Sequence, residues 1–306
     1  MDGEELLVCK TCGTQFDCPA TSPLPGCNIC DDPRQFVPPT GQVWTSLGEM
    51  RGKYENKWQQ DPEEPGMWSI WTEPKFGIGQ RAILIETPHG NVLWDLITYL
   101  DQPTIDFINS RGPLHAIVIS HPHYYTTHLT WSHAFSSPVY ISAADTVWLN
   151  RAPSALHPAS KFLITPTTDI LPGITAIQAG GHFPGSLVLH WAPEARPEIN
   201  GGQRRKPRLF IADTIVTVPS GMYHKDRPPG TTSFTFMWSI PNMLPLPPSE
   251  VFGIWKAIRD FEFEATHGAF VGMDVRRGDV KKAILESMKI QVRYEGHERA
   301  AIFDEM

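Results

Sequence analysis

The sequence predicts an α+β chain, one large domain of interleaved strands and helices preceded by a small cysteine segment. Three observations carry this. Apolar, β-branched runs of strand length alternate with helix-like stretches in the first half. From Phe162 onward they give way to a succession of strands and then to late helices. All five cysteines fall in the first thirty residues.

The 306 residues are enough for a sizeable core. Hydrophobic residues make up 41% and charged residues 19%, an ordinary globular composition, while 29 prolines imply stiffened loops of the kind that carry sites. The formal net charge is −7, with 26 basic against 33 acidic residues, which gives no global positive field for nucleic acid or an anionic membrane. The one basic run, Arg204 to Arg208, reads as a solvated hairpin tip. No apolar run reaches the roughly 18 residues of a spanning helix, and the acidic N-terminus lacks a secretory h-region. Both features, together with the cysteine usage, lead to the expectation of a soluble, cytoplasmic protein.

Residues 1–41 form the cysteine segment. Cys9 and Cys12 make one CxxC pair and Cys27 and Cys30 another, separated by residues rich in Pro, Gly, Ser and Thr. Two such knuckles can place four thiolates tetrahedrally about one zinc, and so short a segment needs that staple to hold together. Gly13 suits the tight turn after Cys12. Cys18 is left over and is an alternative to one of the four.

The large domain spans residues 42–306. Arg51 to Glu64 is polar and reads as a surface helix or loop. Met67 to Thr72 follows, and then Gln80 to Glu86 and Asn91 to Asp95, a hairpin about Pro88-His89-Gly90. Leu96 to Ser110 has a helical look and delivers the chain to a buried strand at His115 to Ile119. Further strands are expected at Val139 to Ser142, Phe162 to Ile164, Ile174 to Gln178, Ser186 to Trp191, Arg208 to Ala212 and Phe261 to Ala265. Helices are expected from His128, from Ala143, over Ser249 to Asp260 with Ser249 as N-cap, and over Asp279 to Tyr294.

The chemistry gathers at strand ends. His121 and His123 stand two apart in the turn after the His115 strand, with His128 close behind, and a curled backbone lets both imidazoles converge on one ion. His182 lies in the glycine-rich stretch Gly180 to Ser186, Asp213 ends the run from Leu209, and His267 follows the strand at Phe261. Polar groups at the ends of buried strands can meet in a shared crevice.

The order of these motifs resembles the metallo-β-lactamase-fold hydrolase superfamily: a GNVLWD hairpin, a strand ending in HxH, GGHFPGS, a strand ending in ADT, and a late His-Gly. The resemblance covers about residue 67 to the end and, with the two CxxC pairs, is similar to a hydrolase-like group of that fold. It implies a four-layer αββα sandwich with a small zinc-ribbon-like N-terminal segment. It also implies that His121, His123 and His182 ligate a first metal, that Asp213 touches or bridges metals, and that His267 serves a second. The family's HxHxDH pattern is broken here, since Tyr125 and Thr126 replace its aspartate and histidine, and neither hydroxyl readily substitutes as a zinc ligand.

Two accounts of the break stand open. In one, a single zinc is held by His121, His123, His182 and Asp213. Asp213 then handles the activated water, and Tyr125 donates to a developing oxyanion. In the other, His128 supplies the missing ligand and two metals bind. Each residue also has a plainer role: His128 as a helix-face histidine, His267 as a strand-end cap, Tyr124 and Tyr125 as wall residues. His115, His133, His157, His190 and His224 are unassigned. The Pro219 to Pro248 stretch, with Met222, Tyr223, Phe234, Phe236, Met237, Trp238 and Met243, is either an apolar substrate wall or a packed cover on the sheet.

The sequence therefore points to a zinc-dependent hydrolase acting on an ester, lactone, thioester or amide of a small, partly apolar molecule. The other class of reading is a degenerate member of the fold that binds a partner through its zinc ribbon. A nuclease is disfavoured by the charge and by the lack of a basic aromatic stripe.

Overall fold

The computed structural model describes residues 3–152, 161–163, 165–194, 205–224 and 228–306. The chain divides into two compact units, 1–163 and 164–306.

The first unit begins with β1 (Leu6–Cys9), β2 (Gln15–Pro19) and β3 (Trp44–Thr45), a three-stranded sheet in the order β2-β1-β3. Both knuckles belong to it, and β3 lies past residue 41, so the cysteine segment takes its third strand from the chain beyond. The short α1 (Leu47–Met50) follows, capped by Ser46, which accepts from the Glu49 amide.

β4 (Glu55–Gln60), β5 (Met67–Glu73), β6 (Ala82–Thr87) and β7 (Gly90–Trp94) form an antiparallel series. The polar stretch at 51–64 is thus no helix or plain loop. It carries an edge strand, polar because only a few of its side chains turn inward, among them buried Asn56. The hairpin expected at Pro88 to Gly90 is present, with Gly90 at φ +121.

α2 (Gln102–Ser110), β8 (Leu114–Val118), α3 (His128–Phe135), β9 (Val139–Ser142) and β10 (Lys161–Leu163) complete the unit. The sheet order is β10-β9-β8-β7-β6-β5-β4, parallel from β7 to β10. Helix α2 starts later than its sequence suggests, because Asp101 caps it by accepting from the Thr104 amide while holding the Asn56 amide of β4. Ala143–Trp148 is a 3-10 turn. Ile164 and His157 lie outside the described residues.

The second unit contains β11 (Thr167–Leu171), β12 (Ile174–Gln178), β13 (Leu187–Trp191), β14 (Arg208–Phe210), β15 (Val216–Thr217), α4 (Pro219–Tyr223), β16 (Phe234–Thr235), β17 (Met237–Ser239), β18 (Leu244–Pro245), α5 (Pro248–Ile258), β19 (Ala265–His267), β20 (Asp274–Arg276) and α6 (Val280–Tyr294). Its main sheet runs β11-β12-β13-β14-β19-β20.

One face of that sheet, with Ile177, Val188, Leu209, Ile211 and Val275, packs on α5 and α6. Val251, Ile254, Trp255 and Ile258 recur at helical spacing on α5, as do Val280, Ile284, Met288 and Val292 on α6. Phe234 and Phe236 are fully buried in the same core, so this part of the 219–248 stretch is packed cover, worth about 1.5–3 kcal/mol per side chain. Met222, Tyr223 and Met243 stay exposed.

Three expectations are corrected here. Ser249 does not cap α5. The helix starts one residue earlier, at Pro248, whose ring presets φ for the first turn. The late strand runs over Ala265–His267 rather than Phe261 to Ala265, since its partner β14 begins only at Arg208, opposite Ala265. The basic run is not a wholly solvated tip. Arg208 is buried, Arg205 lies over the Trp191 ring and Lys206 pairs with Glu264 at 3.2 Å, while Arg204 lies outside the described residues. Among the described residues, no helix is long and apolar enough to cross a membrane.

Candidate metal centre

In the first unit, the HxH turn leaves the carboxyl end of β8, a buried parallel strand flanked by β7 and β9. Asp95, just past β7 with φ +57, fixes the turn by accepting the Ser120 amide at 2.7 Å, while its own amide donates to the Val118 carbonyl. The Ser120 hydroxyl in turn stands 2.8 Å from His121 Nδ1, so Nε2 is the nitrogen of His121 that a metal takes. A 3-10 turn at Pro122–Tyr124 swings His123 back beside it. The two rings are 5.1 Å apart, edge to face, and both side chains are buried.

The residues after the pair do not offer the family's next two ligands. Tyr125 is buried, its hydroxyl is 3.4 Å from the Asp145 carbonyl, and burial raises it well above the usual tyrosine value. Thr126 sits in the left-handed region at φ +37, unusual for a β-branched residue. His128 opens α3, fully buried, with Nδ1 at 3.1 Å from the Tyr125 carbonyl, and burial drives it down to about 4. Burial thus favours its neutral ring.

In the second unit, two loops bring His182 and Asp213 together. Gly180 and Gly181 have φ +70 and +85, and a Cβ on Gly181 would meet Thr214 Oγ1 at 2.7 Å. Thr214, next to Asp213, donates its hydroxyl to the Gly180 carbonyl, tying the loops to each other. Phe183 and Ser186 exchange hydrogen bonds and close the turn around His182. His182 Nδ1 lies 3.2 Å from the Met237 carbonyl, and Nε2 faces Asp213 Oδ2 at 3.8 Å. Two donors on one tetrahedral ion with bonds of about 2.0–2.1 Å stand about 3.4 Å apart. The buried pair therefore fits adjacent ligands of a single cation.

His267 is differently placed. It is the last residue of β19, fully buried, with Nδ1 at 2.9 Å from Asp274 on the paired strand and Nε2 at 3.1 Å from Arg208 Nη1. Arg208 can only donate, so Nε2 accepts and Nδ1 carries the proton toward Asp274. Phe210 stacks on the ring at 5.2 Å. The sequence marked Arg208 only as the end of a basic run and the start of an apolar strand, yet it answers the histidine one strand away.

The four cysteines come together as expected. Cys9, Cys12, Cys27 and Cys30 offer sulfurs within 4.8 Å of one another, with Cys9 and Cys30 3.6 Å apart and Cys12 and Cys27 3.7 Å apart. Thiolates on one tetrahedral zinc stand about 3.8 Å apart. Hydrogen bonds from Cys12, Cys27 and Cys30 hold Cys9 far below the usual thiol range, and Gln42 donates an N–H to its sulfur at 3.2 Å. Burial holds Cys12 far above that range. Cys18 is not part of the group.

No family model matches the chain. Bacillus subtilis (strain 168) carries a relative, the uncharacterized protein YmaE, 40% identical over 263 residues that cover 86% of this chain and 88% of YmaE. Among solved structures, VMB-1 aligns with 78% of this chain and 98% of its own at 10% identity, TM-score 0.51. The DIM-1 metallo-β-lactamase aligns over the same shares at 11% identity, TM-score 0.50. At such identities the likeness is one of fold.

Proposed function

Because the chain belongs to the YmaE family and shares the fold of metallo-β-lactamases, we propose that it is a metal-dependent hydrolase with one catalytic zinc. Its ligands in this reading are His121, His123, His182 and Asp213. The observation that carries it is the buried His182–Asp213 pair, whose imidazole has Nδ1 committed to the Met237 carbonyl and Nε2 turned to the carboxylate. His121, oriented through Nδ1 by Ser120, supports it from the first unit.

A single ion, rather than two, follows from the residues that do not fit. Tyr125 and Thr126 offer hydroxyls, and His267 already engages Arg208 and Asp274. When bound, the zinc supplies a Lewis acid and a water whose pKa falls to about 7. An Asp213 carboxylate oxygen left free of the metal would be the group to accept a proton in that chemistry. Tyr125, with its hydroxyl turned to the Asp145 carbonyl, serves as a wall rather than as an oxyanion donor.

The substrate is a small ester, lactone, thioester or amide with an apolar part, for which exposed Met222 and Tyr223 on α4 offer contact. In this reading the cysteine group holds a second, structural zinc, and thiols kept for a metal support a reducing compartment such as the cytoplasm.

Metal content per chain tests the reading, comparing the intact protein with a His121→Ala/His123→Ala variant. Two zinc ions falling to one is the expected result. Equal metal in both proteins, all of it on the cysteines, would replace the hydrolase with a binding module built on a degenerate fold.

A further inference from the structure

The cysteine segment grips the same stretch of chain that carries the two histidines. Its grip comes from residues between the knuckles. The Gln15 backbone N–H donates to the Thr126 carbonyl at 3.1 Å, and Thr126 is the residue held at φ +37, three positions after His123. The Gln15 side-chain oxygen accepts from Arg151 Nη1 at 2.7 Å and from Thr130 Oγ1 of α3 at 3.3 Å, while its amide group donates to the Gly3 carbonyl.

Asp17 accepts from Arg151 Nε at 3.0 Å and from the Ala152 amide at 2.8 Å. On the other side, Thr98 Oγ1 donates to the Gly13 carbonyl, and the Thr98 carbonyl accepts from Thr127 Oγ1 at 2.7 Å. The approach at Gly13 leaves no room for a side chain, since a Cβ there would lie 1.9 Å from Thr98 Oγ1.

A free-standing zinc module would present such groups to solvent or to a partner. Here they converge on residues 98, 126, 127 and 130, which frame the turn from His121 to His128. We propose that the cysteine ribbon is the positioning element of the HxH loop, acting through Gln15, so that filling the four-cysteine site sets the metal affinity of His121 and His123. The ribbon thereby does for this loop what the absent aspartate and histidine at 125 and 126 would do by ligation, namely hold its backbone in the metal-binding curl. The inference rests on the metal-centre reading above.

Cobalt(II) tests it in the full-length protein, because thiolate-bound cobalt gives an intense charge-transfer band that a histidine–carboxylate site lacks. Affinity at the histidine site is measured by chelator competition on its weaker d–d bands in wild type, Cys27→Ser/Cys30→Ser, Gln15→Leu and Gln15→Glu. Loss of the charge-transfer band in the double serine variant should come with about 10–100-fold weaker binding at the histidine site. Gln15→Leu, which keeps the backbone bond to Thr126 and removes the side-chain hold on Arg151 and Thr130, should keep the band and weaken the histidine site, by a smaller factor than the double serine variant. Gln15→Glu, still able to accept from Arg151, should restore most of it.

If the serine variant does not fold, the Gln15 pair decides. Unchanged histidine-site affinity in Gln15→Leu, or equal loss in Gln15→Leu and Gln15→Glu, overturns positioning through the Gln15 side chain while leaving the metal centre intact. Wild-type protein that shows only the charge-transfer species overturns the metal-centre reading itself, and the positioning role with it.

Discussion

His182 Nε2 stands 3.8 Å from Asp213 Oδ2, while the other ring nitrogen is committed to the Met237 carbonyl at 3.2 Å. That carbonyl is itself held in place. On α6, Gln291 accepts from the Phe236 amide at 3.0 Å and donates to the Phe236 carbonyl at 2.9 Å, so one side-chain amide clamps the residue before Met237 on both sides. The orientation of a candidate ligand thus traces back to a glutamine two contacts away.

Replacing that clamp should be felt at the metal. Gln291→Leu leaves the Phe236 amide without its partner and is expected to cost about 1–3 kcal/mol in urea unfolding. Metal binding by the His182 site should weaken about 10–100-fold in chelator competition. Unchanged affinity would mean that the pairing of β17 with β18 alone holds Met237.

The buried His128 sets an acid limit on stability. Burial lowers its folded pKa to about 4 from an ordinary value near 6.5, so the folded state prefers the neutral ring. As pH falls from about 6.5 the unfolded chain takes up the proton first. The stability contributed by the neutral ring is complete above about 6.5 and is lost progressively down to about 4, roughly 3 kcal/mol in all. His128→Asn should flatten this limb in urea melts at pH 7 and pH 5, and an identical slope in the variant would assign the limb to other groups.

His267 separates one metal from two. His267→Ala leaves buried Arg208 and half-buried Asp274, which Arg276 still partners at 3.3 Å, without the ring between them, and is expected to destabilise by about 1–3 kcal/mol. The zinc count per chain should stay as in the intact protein. Loss of one equivalent would make His267 a ligand.

Tyr125→Phe removes a hydroxyl that lies 3.4 Å from the Asp145 carbonyl. Metal content should not change, and turnover of any substrate found should fall only a few-fold. A fall of about 10²–10³ would identify the hydroxyl as an oxyanion donor.

The elements that carry the candidate ligands were legible because each is announced locally. The β-branched run before His121, the glycines about His182 and the paired cysteines bear their structural instruction within a few residues. The edge strand β4 was not legible. Its residues are polar because they lie at a sheet margin, and only pairing with β5 makes them a strand. The start of β19 likewise depends on where β14 begins.

The sequence by itself determined the kinds of donor available, their position after strands, and the hydroxyl residues Tyr125 and Thr126 that follow the HxH pair. Tertiary structure alone decided how those donors are held. It buried the His128 ring, set Arg208 against His267, and locked the Gln15 backbone onto Thr126. Residue type and spacing fix which atoms can bind, whereas a hydrogen bond also needs a partner, and the partners of Arg208 and Gln15 come from segments tens to more than a hundred residues away.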